Sequence, residues 1–150
     1  MRLVIQVVSE ASVTVGGELI SEIGPGFVVL VGISSEDTRE RADRYLEKMS
    51  KLRIFHDENG KTNLSLRDVG GEVLMISQFT LYADCRKGNR PSFFYAGDPD
   101  MAEPLYQYML EKARTLIPVI RGGVFGADMK ISLINDGPFT ILLDENTLPV

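Results

Sequence analysis

RLVIQVV at residues 2–8, ASVTV at 11–15, ELISEI at 18–23 and FVVLVGI at 27–33 decide how this chain folds. The first two put β-branched residues at alternate positions, the pattern of strands with one buried face. Gly16-Gly17 then supplies the positive backbone angles of a tight hairpin, so a meander is expected. Gly24-Pro25-Gly26 breaks the chain before Phe27 to Ile33, a continuous apolar run of strand length. Such a run is expected to be buried on both faces, as the core strand of a sheet.

Working outward, Ser34-Ser35 offers a helix cap, Glu36 and Asp37 suit the positive end of a helix dipole, and Ala42, Tyr45, Leu46 and Met49 follow at helical spacing. A helix is predicted over 36–50. Residues 51–56 return as a strand, 57–61 form a turn-rich loop, and 72–81 are the next strong strand. Residues 85–99 (CRKGNRPSFFYAGDP) show no period and read as a long loop, a kind of segment that tends to carry function in a small domain. A second helix follows, with Asp100 as cap and Ala102, Leu105, Tyr106, Met109, Ala113 and Leu116 on one face; Pro104 is tolerable there only in the first turn. Strands are predicted at 118–125, 130–134 and 139–144, with Gly122, Gly123 and Gly126 at bends. Nine strands and two helices that do not alternate with them indicate an α+β fold, a barrel-like antiparallel β-sheet with two helices. A barrel this small has little interior room, so a site belongs at its rim or between subunits.

Composition narrows the function. The 150 residues are 44% hydrophobic and 25% charged, which suits one globular domain over 1–150 with a sizeable core. One cysteine, Cys85, leaves no intramolecular disulfide and no cysteine-cluster zinc site. No signal peptide or membrane-length run is legible, so a soluble cytoplasmic protein without a membrane partner is expected. A net charge of −5 argues against gripping nucleic acid through a global positive field. Local patches remain: Arg86, Lys87 and Arg90 in the long loop, and Lys48, Lys51 and Arg53. For either patch alone, solvated surface charge is the plainer reading.

Most catalytic constellations are missing. His56 is the only histidine, at a strand end beside Asp57, where a surface role is commoner than that of a base. HExxH, P-loop and GxSxG are absent, and the glycines at 122–126 lack the strand-turn-helix setting of a dinucleotide site, so neither a metal nor another cofactor is expected. Arg86 and Lys87 invite a nucleophile reading of Cys85, but no base adjoins it in sequence, and an incidental thiol is the simpler view. Thr80 lies where a strand yields to a loop; as a nucleophile it lacks a base too, and as a β-branched strand residue it needs none. Backbone offers another route. N–H groups at Phe79 and Thr80, if unpaired at a strand end, can hold a developing oxyanion.

SQFTLYAD at 77–84, KGNRPSF at 87–93, GGVFGADM at 122–129, NDGPFT at 135–140 and the opening VIQVVSEASVTVGGE at 4–18 together resemble the D-aminoacyl-tRNA deacylase family. The likeness runs over nearly the whole chain, and four motifs in order are far more specific than any one. It implies a homodimer that hydrolyses the ester between a D-amino acid and the 3′ end of tRNA, and that also removes glycine mischarged on tRNA-Ala. On that likeness Ser77, Gln78, Phe79 and Thr80 surround the scissile ester, and Asn135, Gly137, Pro138 and Phe139 belong to a cross-subunit turn. The turn's cis Gly-Pro carbonyls exclude an L side chain and admit D-residues and glycine. Arg86, Lys87 and Arg90 lie near phosphates, and the terminal ribose hydroxyl of tRNA assists where no base is present. Two positions depart from the family's pattern: Val7 stands where an arginine that sets the turn is usual, and Phe139 where valine is usual. Three rivals stay open: a non-catalytic domain that binds tRNA ends or a synthetase, a deacylase of relaxed chirality, and a threonine-nucleophile esterase.

Overall fold

Fourteen residues, Arg2–Val15, form one uninterrupted strand, β1, rather than the two predicted pieces. The chain was computed as a structural model, which describes residues 1–148. β1 stays continuous because it has partners on both sides along its length: β3 (Gly26–Gly32) and then β2 (Glu18–Ile23) on one side, and β8 (Met129–Leu143) on the other. Gly16 and Gly17, at φ 58° and 85°, make the expected hairpin turn.

β1 serves two cores. Leu3, Ile5 and Val7 face one cluster, whereas Val8, Ala11 and Val13 face the other. Alternation would keep a straight strand's apolar set on one side; the change of side coincides with register shifts against β8 between Gln6 and Glu10. β3 is buried on both faces, as its unbroken apolar run predicts: Phe27, Val29 and Val31 enter the first cluster and Val28 the second. β6 (Glu72–Ser77) does the same through Val73 and Met75 on one face and Leu74 and Ile76 on the other.

The first core lies between the sheet and two helices, α1 (Arg39–Ser50) and α2 (Pro99–Ala113). Ala42, Tyr45, Leu46 and Met49 are buried as their spacing requires. α1 starts three residues later than predicted. Thr38, not Ser34 or Ser35, accepts the Arg41 N–H at 3.3 Å, while the buried Asp37 carboxylate turns back to accept from Ser34 N–H at 2.7 Å. α2 begins at Pro99 with Asp98, not Asp100, at its cap position. Pro104 therefore sits in the second turn, a correction of the first-turn expectation; it lies on the exposed face, where the carbonyl it leaves unbonded can meet water.

Sheet order is β2-β1-β3-β6-β7, with β8 also paired to β1. The sheet is mixed: β3–β6 and β6–β7 (Ile120–Gly122) run parallel. A parallel return needs a long crossover, and α1 with the hairpin β4 (Arg53–His56) and β5 (Thr62–Ser65) supplies it. Ser21 Oγ donates to the Gly122 carbonyl at 2.8 Å, tying β2 to β7 so that the sheet nearly closes into a barrel. Close approach inside it depends on glycine: a Cβ on Gly26 would stand 1.8 Å from the Glu72 carbonyl oxygen. The described residues hold eight strands against nine predicted: the pieces at 130–134 and 139–144 are also one strand, and β5 at Thr62–Ser65 has no predicted counterpart. No helix among them is long and apolar enough to cross a membrane.

Candidate active site

β6 ends four residues before the predicted limit, and this shortening makes the site. Gln78 N–H still bonds to Val31 at 2.7 Å, but Phe79–Tyr82 then coil into one 3₁₀ turn. The first donors of such a turn have no carbonyl behind them in the turn. Among the described residues, the N–H groups of Phe79 and Thr80 make no hydrogen bond.

Beside them opens a cleft of about 580 Å³. Val31, Ile33 and Ile76 floor it, Ser77, Gln78 and Phe79 form one wall, and Ala96 to Pro99 and Phe125 to Met129 form the others. Phe79, though 56% exposed, meets Phe93 edge-on at 5.0 Å between ring centres. Gly97 N–H binds the Ile33 carbonyl at 2.9 Å, which fastens the long loop over the end of β3. Thr80 is not in the lining: it is exposed, and its hydroxyl accepts from the Gln78 amide. The loop wall at Ala96-Gly97-Asp98 lies within 85–99, the segment read from sequence as a long loop of the kind that carries function, although no motif singled out these three residues; the wall at 125–129 belongs to the quoted GGVFGADM segment.

The second predicted half lies elsewhere on the chain. Asn135, Gly137, Pro138 and Phe139 sit in the middle of β8, where residues 136–139 bulge out of register opposite Val7 and take no part in the cleft. The Gly137-Pro138 bond is cis, and Gly137 has φ 135°, a region that disfavours a side chain. Its Cβ would also come 2.9 Å from Phe139 N. Side chains brace the bulge: Phe139 N–H donates to Asn135 Oδ1 at 3.0 Å, and Thr140 Oγ1 accepts from Asn135 Nδ2 at 3.0 Å and from Gln6 Nε2 at 3.3 Å. Val7 is buried in the core, and Phe139 packs against the same cluster. Thr140 and Gln6 as braces were not singled out from sequence; no pattern in one strand reveals a partner 134 residues away.

Other candidates separate from both halves. His56 is exposed at the end of β4, away from the cleft lining. Cys85 is exposed on a second cavity of about 710 Å³, together with Arg2, Arg41, Tyr82, Arg86 and Tyr95. Arg86 is held by Asp84 at 2.6 Å and by the Tyr95 hydroxyl at 3.2 Å; its hydrogen bonds draw the Asp84 carboxyl down to about 2. Lys87 and Arg90 are exposed and form no ion pair among the described residues. In the other patch Lys51 pairs with Glu47 at 3.7 Å and Arg53 bonds to Asn63, as structural surface charge does.

The family model described as D-Tyr-tRNA(Tyr) deacylase matches residues 4–144. The chain belongs to this family. It is 54% identical over 149 residues to the D-aminoacyl-tRNA deacylase of Thermus aquaticus, covering 99% of this chain and 98% of that one. Among solved structures, the c-Myc DNA Unwinding Element Binding Protein superposes with a TM-score of 0.91 at 46% identity, over 96% of this chain and 98% of that one. A structure titled "probable eukaryotic D-amino acid tRNA deacylase" has a TM-score of 0.85 over 95% of this chain and 97% of that one; at 17% identity it attests the shared fold.

Proposed function

We propose that this deacylase-family protein hydrolyses the ester between a D-amino acid, or glycine, and the 3′ end of tRNA, acting as a cytoplasmic homodimer. The observation that carries the reading is the pair of unpartnered N–H groups at Phe79 and Thr80 beside a largely apolar cleft. Water attacks the ester carbonyl carbon, negative charge collects on its oxygen, and those two donors receive it. The bond to the ribose oxygen then breaks, and a proton returns to that oxygen. No imidazole lines the cleft, and both of its carboxylates are exposed: Asp128 is paired with Lys130 at 2.7 Å, and Asp98 stands at the cap position of α2. The neighbouring hydroxyl of the terminal ribose is the group we assign to assist the water.

Chirality is assigned to the bulge in β8. Within one chain it lies outside the cleft lining, so the reading seats Gly137-Pro138 of a second copy over the cleft, where rigid backbone leaves no room for an L side chain. Bracing by Gln6 and Asn135 through Thr140 favours a fixed turn despite Val7, and so favours D-selectivity over relaxed chirality. Lys87 and Arg90 are assigned to phosphates near the 3′ end; Arg86, already held by Asp84 and the Tyr95 hydroxyl, is assigned to bracing the loop that carries them. The name of the 46% identical structure mentions DNA, but a net charge of −5 does not favour a grip on duplex DNA here.

The test is release of D-tyrosine from D-tyrosyl-tRNA against L-tyrosine from the L-form. Release from the D-form alone is expected. Equal rates would overturn the chirality assignment, and no release from either would overturn the enzyme.

A further inference from the structure

Three consecutive aromatics, Phe93, Phe94 and Tyr95, form a ridge between the two cavities. Phe93 lines the cleft, Tyr95 lines the second cavity, and Phe94 stands between them at 84% exposure. A phenylalanine so far in water gains little burial from the fold, and this one belongs to a braced ridge. Asp84 and Ser92 exchange backbone hydrogen bonds of 2.7 and 2.9 Å, which closes the loop beneath the ridge. Ser34 and Ala96 form a further bridge on its other side. Arg86 links Asp84 to the Tyr95 hydroxyl, and the Tyr95 ring meets Phe94 edge-on at 5.6 Å. The surroundings are polar, so the exposed aromatic surface is narrow: Arg86, Lys87, Gly88, Asn89 and Arg90 precede it and Asp98 follows.

We propose that Phe94 and Tyr95 are a stacking platform for the single-stranded nucleotides that precede the aminoacylated adenosine, with Lys87 and Arg90 meeting their phosphates. The inference rests on the deacylase reading, which puts the terminal adenosine at the cleft; the ridge continues the cleft wall from Phe93 outward. Rigid aromatic faces with nearby cations are what an unpaired strand requires, since every base has a π-face and every linkage a charge. The second cavity is a poorer place for phosphate. Its arginines are already opposed by carboxylates, Arg2 by Glu145 at 3.3 Å, Arg41 by Asp37 at 3.1 Å and Arg86 by Asp84, with Glu36 also on its rim. Lys87 and Arg90 carry no such partner among the described residues, so the strand's charge is drawn over the ridge and not into the cavity.

The test reads binding of uncharged tRNA, so that its result is independent of hydrolysis. Wild type, Phe94→Ala and Phe94→Tyr are titrated with intact tRNA and with the same tRNA lacking its last three nucleotides. Phe94→Ala is expected to weaken binding of the intact form about tenfold and to change the trimmed form little, with Phe94→Tyr restoring the difference. Unchanged binding of intact tRNA, or an equal loss on both forms, would overturn the platform. A smaller assembly of Phe94→Ala by sedimentation would also overturn it, by showing the ridge to be a contact between copies. Absence of D-tyrosine release by wild type would sink the deacylase reading alone.

Discussion

The cleft at the end of β6 and the bulge in the middle of β8 are built in opposite ways. Buried strands on both faces support the first: Leu74, Met75 and Ile76 are almost wholly enclosed, and the Tyr106 hydroxyl donates to the Met75 carbonyl at 2.7 Å. The second is exposed at Asp136, Gly137 and Pro138, and it keeps its shape through a few local hydrogen bonds. The cleft has unpartnered backbone donors at its edge, whereas the bulge is exposed backbone outside the cleft of its own chain. On the proposed function each is half of a chiral site, so activity and enantiomer choice are expected to fail separately.

Gly137→Ala attacks the bulge at its least tolerant point. With φ at 135° and a new Cβ 2.9 Å from Phe139 N, the turn must shift. The ratio of D- to L-release is expected to fall on the order of a hundredfold. Hydrolysis of the D-form should decline much less; equal loss on both would show the two halves to be one unit.

Tyr106→Phe attacks the support of the cleft instead. The Met75 carbonyl keeps only the longer 3.3 Å bond from Gly123 N–H, and the lost hydrogen bond should cost about 0.5–1.5 kcal/mol of stability, read from urea unfolding, with the D/L ratio unmoved. Burial also pushes the Tyr106 hydroxyl up to about 12. Its folded value lies above the unfolded 10.0, so its contribution is complete below pH 10.0 and is lost as pH rises toward about 12. Tyr45 and Tyr82 are shifted to about 12 mainly by burial as well, so wild type should lose stability over the same alkaline window, and Tyr106→Phe by a smaller amount.

Thr140→Val removes the acceptor shared by Gln6 and Asn135 while keeping the branched shape. A fall of about tenfold in the D/L ratio is expected, consistent with one or two hydrogen bonds of about 0.5–1.5 kcal/mol each. An unchanged ratio would place the bracing in Asn135 and Phe139 alone.

Thr80→Ala should have the smallest effect, a loss of less than about tenfold in kcat, because a backbone oxyanion site survives the truncation. A loss beyond a thousandfold with trapped acyl-enzyme would make Thr80 a nucleophile and reverse the assignment of chemistry to backbone.

Much of the fold was legible in sequence where burial is strong. Phe27 to Ile33 read as a strand buried on both faces because nothing polar interrupts it, and Ala42, Tyr45, Leu46 and Met49 marked a helix face by period. Boundaries failed where local signals compete: Ser34 and Ser35 look like caps, but the buried Asp37 carboxylate turns the segment back, so the helix waits for Thr38. Residues 130–134 and 139–144 looked like two strands because Gly137-Pro138 is a turn signal, yet pairing with β1 on both sides of the bulge holds them in one. Of the site, SQFTL and NDGPFT were visible as motifs, whereas the wall at Ala96-Gly97-Asp98 and the Gln6–Thr140 brace were not.

By itself the sequence determined the α+β class, the double-faced core strand, the two helices and the family, because burial patterns and ordered motifs are written along the chain. Only tertiary structure decided that β6 stops at Ser77 and leaves two donors free, that the Gly-Pro bulge lies outside the cleft of its own chain, and that Gln6 rather than residue 7 reaches Thr140. Those outcomes depend on which strands pair and in what register, and register is a relation between segments distant in sequence.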